Sequence, residues 1–297
     1  MTEPTPDAQP DALHAFEGPG GLPMIDIRNA HATARVSLYG AQVLAFQPRG
    51  ERELLFLSER AFYQPGKAIR GGVPVCWPWF GPDPEGLGRP AHGLARTRRW
   101  QLRGSAHLPD GQTRLTLGLR DDDQTRALWP HAFDLSLDIT VGRTLRLALC
   151  TRNTGSTPLT LTQALHSYFA AADIAQTRVV GLDGCTYTDK ARGAGGAQRL
   201  QAGPVHFSGE VDRVYARVPA ELRIDDGAGQ RTVRVRAEGS QTAVVWNPGP
   251  DIGAGMADLG DDAWQRFVCV ETANAGDEVI HLAPGAQHTV LAEIGPG

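Results

Sequence analysis

The sequence predicts an all-β fold, a large antiparallel β-sandwich in which two sheets enclose one core. Three features of the chain lead to this prediction. Apolar and polar residues alternate over many short stretches, which is the period of a strand with one buried face. The 297 residues include 35 glycines and 21 prolines, enough to supply the turns between many strands. Segments with the longer period of an amphipathic helix are nearly absent.

The chain is expected to form one domain behind a short leader. Residues 1–22 are interpreted as a flexible leader, because Pro, Gly, Asp and Ala leave this segment little apolar surface to bury. Residues 23–297 show neither a linker nor a repeat of fixed period, so they are expected to form a single β-sandwich domain.

Strands are predicted most clearly where leucine, valine or isoleucine occupies every second position. Two such runs flank Gly142-Arg143, which predicts a hairpin at that turn. The best helical candidate, at residues 262–267, spans only one or two turns. The predicted strands with the clearest alternation cover residues 114–120, 133–141, 145–149, 232–236 and 288–294.

Composition excludes several classes of function. The formal net charge of -4 provides no positive field to attract nucleic acid or an anionic membrane. The first residues lack the basic and apolar regions of a signal peptide, and no run approaches the ~20 apolar residues of a membrane helix. A cytoplasmic protein without nucleic-acid or membrane partners is therefore expected.

Motifs for cofactors and metals are missing from the sequence. The four cysteines lack C-x-x-C spacing, and three of them lie in apolar or strand-like surroundings, which favours reduced packing residues over a disulfide framework or a zinc site. There is no P-loop, Rossmann glycine fingerprint, Gly-x-Ser-x-Gly or His-Glu-x-x-His. We therefore expect no metal and no cofactor. The cysteines are Cys76, Cys150, Cys185 and Cys269.

The stretch at residues 68–82 and its sequel at 91–96 concentrate arginine, histidine, tryptophan, glycine and proline. Because glycine permits positive φ and proline fixes φ, this combination predicts a stiff structured loop. Arg70 and Arg96 could be ordinary surface residues, but guanidinium groups on rigid loops also suit an anionic, oxygen-rich ligand. The aromatic residues that could form cleft walls or plain core are Trp77, Trp79, Phe80 and Trp246.

His166 ends a predicted strand whose two faces differ. Leu159, Leu161 and Leu165 share one parity, while His166 shares the other with small and polar residues. A regular strand would therefore direct this histidine away from the leucine face, as expected for a histidine that reaches into a ligand cleft. A structural histidine, hydrogen-bonded at the strand end, is an equally good interpretation.

Glu271 follows the apolar run at residues 267–270. A carboxyl group in this position is expected to be at least partly desolvated, which disfavours its charged form and suits it to proton transfer. The simpler alternative is that the strand meets solvent there. Asp189 and Lys190 add an acid and a base in a polar segment, which is a weak signal on its own.

Five ordered sequence blocks, taken together, resemble the aldose 1-epimerase superfamily and, more narrowly, its hexose-6-phosphate mutarotase branch. The resemblance extends from about residue 25 to residue 294. It implies the family's galactose mutarotase-like β-supersandwich fold and an isomerase that interconverts the anomers of glucose 6-phosphate and related hexose 6-phosphates. The blocks are Arg70-Gly71-Gly72-Val73-Pro74, His92-Gly93-Leu94-Ala95-Arg96, His166-Ser167-Tyr168-Phe169, Tyr187-Thr188-Asp189-Lys190 and Val270-Glu271-Thr272.

The resemblance also implies roles for six residues. In the implied mechanism a carboxylate takes the proton from the anomeric hydroxyl and a protonated histidine gives one to the ring oxygen, without a cofactor. The residue before the His-Gly pair departs from the family, where it can be a substrate-binding glutamine; here it is Ala91. The implied roles are catalysis for His166 and Glu271, substrate and phosphate binding for Arg70 and Arg96, and sugar binding for His92 and Asp189.

Two alternatives stay open. The chain could be a mutarotase of free aldoses, against which the two loop arginines argue. It could also be a non-catalytic sugar-phosphate-binding protein, against which the presence of both His166 and Glu271 argues, since a binder needs no acid–base pair. The expected partner is a hexose 6-phosphate, and the protein is expected to be a monomer.

Overall fold

The computed structural model describes residues 12–297, and this part of the chain is built almost entirely from strands, which confirms the all-β prediction. The first strands are β1 Ala12–Glu17, β2 Pro23–Arg28, β3 Ala32–Ser37, β4 Gln42–Pro48, β5 Val75–Cys76, β6 Gln101–His107, β7 Thr113–Arg120, β8 Phe133–Val141, β9 Leu145–Asn153, β10 Leu159–Leu161, β11 Gln163–Leu165 and β12 Tyr168–Ala170. The remaining strands are β13 Thr177–Val180, β14 Thr186–Asp189, β15 Ala197–Leu200, β16 Val205–His206, β17 Val211–Ala216, β18 Glu221–Asp226, β19 Arg231–Glu238, β20 Thr242–Asn247, β21 Phe267–Asn274, β22 Ile280–Leu282 and β23 Gln287–Pro296.

Helices in the described part of the chain are few and short. The longer α-helix begins after Asp122, whose carboxylate accepts a hydrogen bond from the backbone N–H of Thr125 and so caps the first turn. The expected helical segment at 262–267 contains a single 3-10 turn. The α-helices are α1 Asp123–Leu128 and α2 Gly249–Gly253, and the 3-10 turns are Pro19–Gly21, Ala95–Thr97, Ile174–Gln176 and Ala263–Arg266.

The strands form two large sheets and two small ones. The nine-stranded sheet has the order β16-β13-β18-β19-β23-β9-β8-β7-β6. The eight-stranded sheet has the order β15-β14-β17-β20-β21-β11-β5, with β12 also paired to β21. A four-stranded sheet, β1-β2-β3-β4, and the pair β10-β22 complete the architecture. Neighbouring strands pair in the antiparallel sense throughout both large sheets, as predicted.

The centre of the nine-stranded sheet follows the predicted alternation. β8 and β9 pair from Phe133↔Asn153 to Val141↔Leu145, so the hairpin predicted at Gly142-Arg143 is confirmed. Every odd-numbered residue of β8 is buried and every even-numbered residue is more exposed. Because one face of this sheet packs against the core and the other faces solvent, the period of two persists through the whole strand.

One apolar core cluster joins the two large sheets. The nine-stranded sheet contributes residues such as Leu137 and Leu147, and the eight-stranded sheet contributes residues such as Val245 and Val270. Phe46 of the four-stranded sheet belongs to the same cluster. Each fully buried side chain of this kind contributes about 1.5–3 kcal/mol, so this shared core holds the sheets together.

The eight-stranded sheet is covered on both faces. In β21, Val268 and Val270 belong to the main core, whereas Phe267 and Cys269 belong to a separate apolar cluster. Side chains alternate along a strand, so the two clusters lie on opposite faces of the sheet. Glu271 has the parity of Phe267 and Cys269 and therefore lies on the face away from the main core.

The N-terminal segment differs from the expected leader. Residues 1–11 lie outside the described residues. Residues 12–17 form β1, which pairs with β2 from Ala12↔Arg28 to Glu17↔Pro23. Most of β1 is exposed, but Leu13 and Phe16 are partly buried against apolar clusters, so main-chain hydrogen bonds to β2 and these two contacts account for its order. The expectation of a flexible leader is therefore wrong for this strand, because composition does not report hydrogen bonding at a sheet edge.

All four cysteines are free thiols. Cys76 and Cys269 are buried, and Cys150 and Cys185 are partly buried. Cys269 and Cys76 belong to apolar clusters, in agreement with the packing role predicted for the cysteines.

Candidate active site

Glu271 lies within β21, before its last three residues, rather than at a strand end that meets solvent. It is opposite Val244 of β20, and only 2% of its surface is exposed. Cys269 and Ala273, which share its parity, are fully buried. The carboxyl group is therefore surrounded by protein, and its desolvation is nearly complete.

His166 directly follows β11 and meets Glu271. Leu165 belongs to the main core and Ala164 to a separate cluster, so the two parities of this strand face opposite sides, as the sequence predicted. The backbone N–H of His166 donates a hydrogen bond to the carbonyl oxygen of Pro74 at 3.0 Å, which fixes the main chain here. The imidazole Nε2 lies 3.4 Å from Oε1 of Glu271.

Each group of this pair has one buried polar atom without a partner. Nδ1 of His166 and Oε2 of Glu271 form no hydrogen bond with any group of residues 12–297. Leaving a buried polar atom unsatisfied costs about 1–3 kcal/mol. Two such atoms in one contacting pair call for an explanation, and a role in chemistry is one that accounts for both.

Backbone geometry fixes Arg70 at the site. Gly71 and Gly72 have φ values of 115° and 60°, and a Cβ on them would lie 2.4 Å and 2.1 Å from backbone oxygens of neighbouring segments. Only glycine permits this conformation and this approach. The side-chain amide of Gln42 donates to the backbone oxygens of Ile69 and Gly71, on either side of Arg70. The predicted stiff loop is therefore confirmed at this position.

The guanidinium of Arg70 is held by two partners. Nε donates to Oδ2 of Asp258 at 3.1 Å, and Nη2 lies 3.0 Å from the same oxygen. Nη1 donates to the Tyr168 hydroxyl at 2.9 Å. Burial alone would lower the pKa of Arg70, but Tyr168 and Asp258 outweigh burial and the pKa is raised. A guanidinium has five N–H donors, so about two remain for a ligand.

His92 enters the site as a neutral imidazole. Its Nδ1 accepts a hydrogen bond from the backbone N–H of Gly81 at 3.4 Å, which leaves Nε2 as the donor. Burial, reinforced by the positive charges of Arg96, Arg70 and Lys190, lowers the pKa of His92 to about 3. The side chain is therefore suited to donate a hydrogen bond to a sugar oxygen rather than to act as a cation.

Arg96 and Lys190 have no carboxylate partner within ion-pair distance among residues 12–297. Arg96 lies in the 3-10 turn Ala95–Thr97, and its Nη2 donates to the carbonyl oxygen of Ala91 at 2.8 Å. The backbone of Ala91 thus orients this guanidinium. Both cations can accept an anionic group without first breaking an ion pair.

These side chains line one cavity of about 290 Å³. A second cavity of about 310 Å³ shares Arg70 and Arg96 with it. A larger cavity of about 670 Å³ lies on the four-stranded sheet and is lined by residues such as His14 and Ala45, remote from the paired acid and base. The chemistry selects the first cavity, whose titratable lining is Arg70, His92, Arg96, His166, Lys190, Asp212 and Glu271.

Asp189 does not line this cavity. It shares the parity of Tyr187, whose ring belongs to the main core, and its carboxylate lies 3.3 Å from Nε of Arg199. The next residue, Lys190, lines the cavity, as does Asp212 of the neighbouring strand β17. The backbone N–H of Lys190 donates to the carbonyl oxygen of Asp212 at 2.7 Å. A displacement of one residue changes the face, because the period of a strand is two.

The aromatic candidates divide between core and cavity. Trp77 and Trp79 are buried in the main core, where the indole of Trp77 donates to the Thr151 hydroxyl at 2.9 Å. Phe80 and Trp246 line the cavity. They provide apolar surface of the kind that packs against a sugar ring.

Burial shifts the pKa values of Glu271 and His166 in opposite directions. Burial raises the pKa of Glu271 well above its ordinary value, and the nearby Asp212 raises it further. Burial lowers the pKa of His166 well below its ordinary value, with His92 and Arg96 adding to the effect. Both shifts favour the uncharged forms of the two groups, a protonated Glu271 and a neutral imidazole.

Solved structures of similar shape define the class of this protein. A galactose mutarotase-like protein from Lactobacillus casei matches with a TM-score of 0.72 over 92% of this chain and 100% of its own, at 13% identity, which shows the fold. YeaD from Salmonella typhimurium, described provisionally as a mutarotase, matches with a TM-score of 0.87 at 33% identity, over 96% of this chain and 97% of its own. The fold is that of the galactose mutarotase-like β-sandwich proteins.

Sequence comparison then identifies the family. The family model described as aldose 1-epimerase matches residues 23–294. A relative from Escherichia coli K12, named provisionally as a glucose-6-phosphate 1-epimerase, is 40% identical over 256 residues, which are 86% of this chain and 84% of the relative. The chain belongs to the aldose 1-epimerase family.

Residues 12–297 contain neither a candidate membrane-spanning helix nor a candidate metal cluster. No helix in that range is long and apolar enough to cross a membrane. The same residues contain no group of three or more His, Cys, Asp or Glu side chains that could hold a metal ion.

Proposed function

We propose that this protein is a hexose-6-phosphate mutarotase, which interconverts the α and β anomers of glucose 6-phosphate and related hexose 6-phosphates. The observation that carries the proposal is the 3.4 Å approach of His166 Nε2 and Glu271 Oε1 in a cavity lined by Arg70, Arg96 and Lys190. An acid–base pair supports proton transfer, and the three cations support an anionic substrate. The names of the relatives point to the same substrate class.

Ring opening requires two proton transfers at neighbouring oxygens. One group removes the proton of the anomeric hydroxyl, and the other protonates the ring oxygen as the C1–O5 bond breaks. Both oxygens are bonded to C1, so two catalytic atoms 3.4 Å apart can each reach one of them. After rotation about C1–C2, the reverse transfers close the ring on the other face and return both groups to their starting states.

A pair that holds one proton suffices for this cycle. In the assignment from the resemblance, His166 is the acid and Glu271 the base, which requires the proton on the imidazole. Burial favours the proton on Glu271 in the unliganded protein. A substrate phosphate would offset the positive charges of Arg70 and Arg96, which lower the pKa of His166, and so would favour the assigned state.

The cations bind the substrate rather than break bonds. Arg96 and Lys190 can accept phosphate oxygens without breaking an ion pair, and Arg70 retains donors beside its contacts with Asp258 and Tyr168. Each charge-assisted hydrogen bond contributes about 1.5–3 kcal/mol, or roughly 10- to 100-fold in affinity. We therefore propose His166 and Glu271 as catalytic residues. Arg70, Arg96, Lys190, His92 and Asp212 are the proposed substrate-binding residues, and Asp212 takes the place expected for Asp189.

Anomer exchange tests the proposal. Two-dimensional exchange NMR on glucose, galactose, mannose and their 6-phosphates should show acceleration by the protein, strongest for a 6-phosphate. His166→Ala and Glu271→Gln should each lose most of the acceleration, because a proton-transfer group typically supplies about 10²–10⁴-fold. Faster exchange of a free sugar than of its 6-phosphate would favour the free-aldose alternative. Tight binding of a 6-phosphate without acceleration would favour the non-catalytic alternative.

The cellular location and the oligomeric state of the protein stay predictions. A cytoplasmic location is expected from the sequence. A monomer is also expected, and the mass in solution, measured by light scattering, would test it.

A further inference from the structure

Hydrogen bonds do not fix the plane of the His166 imidazole. In most sites where a histidine transfers protons, the second ring nitrogen donates or accepts a hydrogen bond that sets the orientation. Here Nδ1 is buried without a partner among residues 12–297. The approach of Nε2 to Glu271, at 3.4 Å, is longer than the usual 2.7–3.2 Å of a protein hydrogen bond. Some other contact must hold the ring.

The contact with the geometry to do so is the ring of Tyr168. The rings of His166 and Tyr168 are stacked, with centroids 4.8 Å apart and planes inclined by 10°. Trp246 and His92 also touch the imidazole, but edge-on, at 81° and 63°. A parallel face opposes rotation of the imidazole out of its plane, whereas an edge contact leaves that rotation freer.

Tyr168 is itself held from several directions. Only 2% of its surface is exposed, and its ring packs against Phe267 with centroids 5.3 Å apart. Its backbone N–H donates to the carbonyl oxygen of Gly72 at 2.9 Å. Its hydroxyl accepts from Nη1 of Arg70, and that guanidinium is bound in turn by Asp258. A residue anchored in this way can act as a rigid surface for its neighbour.

We infer that Tyr168 is a positioning residue for catalysis: its ring, anchored through its hydroxyl by Arg70 and Asp258, sets the plane in which His166 transfers a proton. The inference rests on the proposed function, in which the imidazole acts on the substrate. It divides the side chain into two parts. The ring governs the orientation of His166, and the hydroxyl governs the orientation of Arg70, which faces the same cavity.

Two substitutions separate the parts. Tyr168→Leu removes the flat face and should lower kcat by about 10- to 100-fold, because catalytic groups tolerate little misplacement. Its KM should rise as well, since the hydroxyl is also lost. Tyr168→Phe keeps the flat face, so it should retain kcat within about threefold and raise KM for glucose 6-phosphate, because Arg70 loses one of its contacts. Loss of kcat in both variants to the same extent would overturn the division.

NMR tests the stacking without reference to activity. Ring current from Tyr168 should shift the ring protons of His166 in the wild type and in Tyr168→Phe, and the shift should vanish in Tyr168→Leu. The signals are assigned by their loss in His166→Asn. Unchanged His166 signals in Tyr168→Leu, or a wild-type kcat in that variant, would overturn the inference. If Tyr168→Leu does not fold, the wild type alone is decisive: His166 ring protons without a ring-current shift would overturn the inference.

A matched control is available in the same sheet. Tyr215 is fully buried in β17, and its hydroxyl donates to Gln201 at 2.7 Å, away from the catalytic pair. Tyr215→Leu should lower Tm as Tyr168→Leu does but leave kcat within about twofold. An equal loss of kcat in the control would show that any buried tyrosine supports activity through stability alone, which would overturn the inference. A wild type that shows the ring-current shift but no anomer exchange would overturn the proposed function, and with it the catalytic role of Tyr168, but not the stacking of the two rings.

Discussion

Glu271→Gln is expected to stabilise the protein while it removes activity. The carboxyl group is almost completely buried, and its Oε2 has no hydrogen-bond partner among residues 12–297. Burial, with the nearby negative charge of Asp212, raises its pKa well above the ordinary value. At any pH between the unfolded and the folded pKa, the folded protein therefore holds a proton that the unfolded chain has released, and folding carries the free-energy cost of that uptake.

The sign and the pH window follow from the raised pKa. A group of this kind contributes stability that is fully present below its unfolded pKa, about 4.3, and is lost as the pH rises through the folded pKa. Between these limits the free energy of unfolding falls by about 1.4 kcal/mol per pH unit for one proton. Glutamine has the same shape and cannot titrate. The stability difference in favour of Glu271→Gln should therefore grow by about this amount per unit between roughly pH 4.3 and the folded pKa.

The neighbouring imidazole does not obscure the measurement. The pKa of His166 is lowered by burial, so its contribution is present above its unfolded pKa of about 6.5 and is lost as the pH falls through its lowered folded pKa. This histidine is present in both proteins. Its effect therefore largely cancels in the difference between wild type and variant.

Urea unfolding followed by tryptophan fluorescence, at several pH values between 5 and 9, measures the difference. Val270→Ala is the control, because it truncates a core side chain in the same strand without removing a titratable group. Its destabilisation should not vary with pH. A difference for Glu271→Gln that is flat or shrinks as the pH rises would refute the raised pKa and with it the proton placement in the pair.

Three further predictions concern the charged lining of the cavity. Arg96→Ala should raise KM for glucose 6-phosphate by about 10- to 100-fold and affect free glucose much less; an equal effect on both would exclude the phosphate role. Lys190→Ala should act in the same direction, and added NaCl should raise KM for the 6-phosphate less in this variant than in the wild type, because a partly exposed cation is screened by salt. Asp212→Asn should lower kcat/KM for hexose 6-phosphates, while Asp189→Asn should leave it within about twofold; the reverse result would contradict the observed placement of the two carboxylates.

Local alternation predicted much of the fold because many strands bury one face only. β8 and β9 follow the alternation completely, and the turn at Gly142-Arg143 joins them as expected. The same rule placed His166 on the face opposite Leu165, although the strand predicted there is interrupted at Thr162, between β10 and β11. The leader prediction, which rested on composition, failed at β1, because this strand pairs with β2 and packs Leu13 and Phe16 against apolar clusters.

The site could be predicted only where a residue type combined with a recognisable pattern. Arg70, Arg96 and Glu271 lie in distinctive blocks, whereas Asp212 lies in β17 within a segment that has no distinctive motif. Its place in the cavity depends on how β17 pairs with β20, where Asp212 is opposite Trp246. A strand register of this kind depends on residues that are far apart in the chain, so the sequence around Asp212 does not reveal it. For the same reason a one-residue choice between Asp189 and Lys190 could not be made from the sequence.

In the eight-stranded sheet, neighbouring residues of one strand have different tasks: one face stabilises the fold, and the other carries the candidate acid–base residues. Along β21, Val268 and Val270 belong to the main core, while Cys269 and Glu271 face the other way. The main core secures the strand, so the opposite face can hold a buried carboxyl group with an unpartnered oxygen that would be unfavourable in an isolated hairpin. Apolar truncations at even positions should therefore reduce stability, whereas a change at position 271 should reduce activity. The protein tolerates the unfavourable burial of Glu271 because Val268 and Val270, on the opposite face of the same strand, stabilise β21 in the main core.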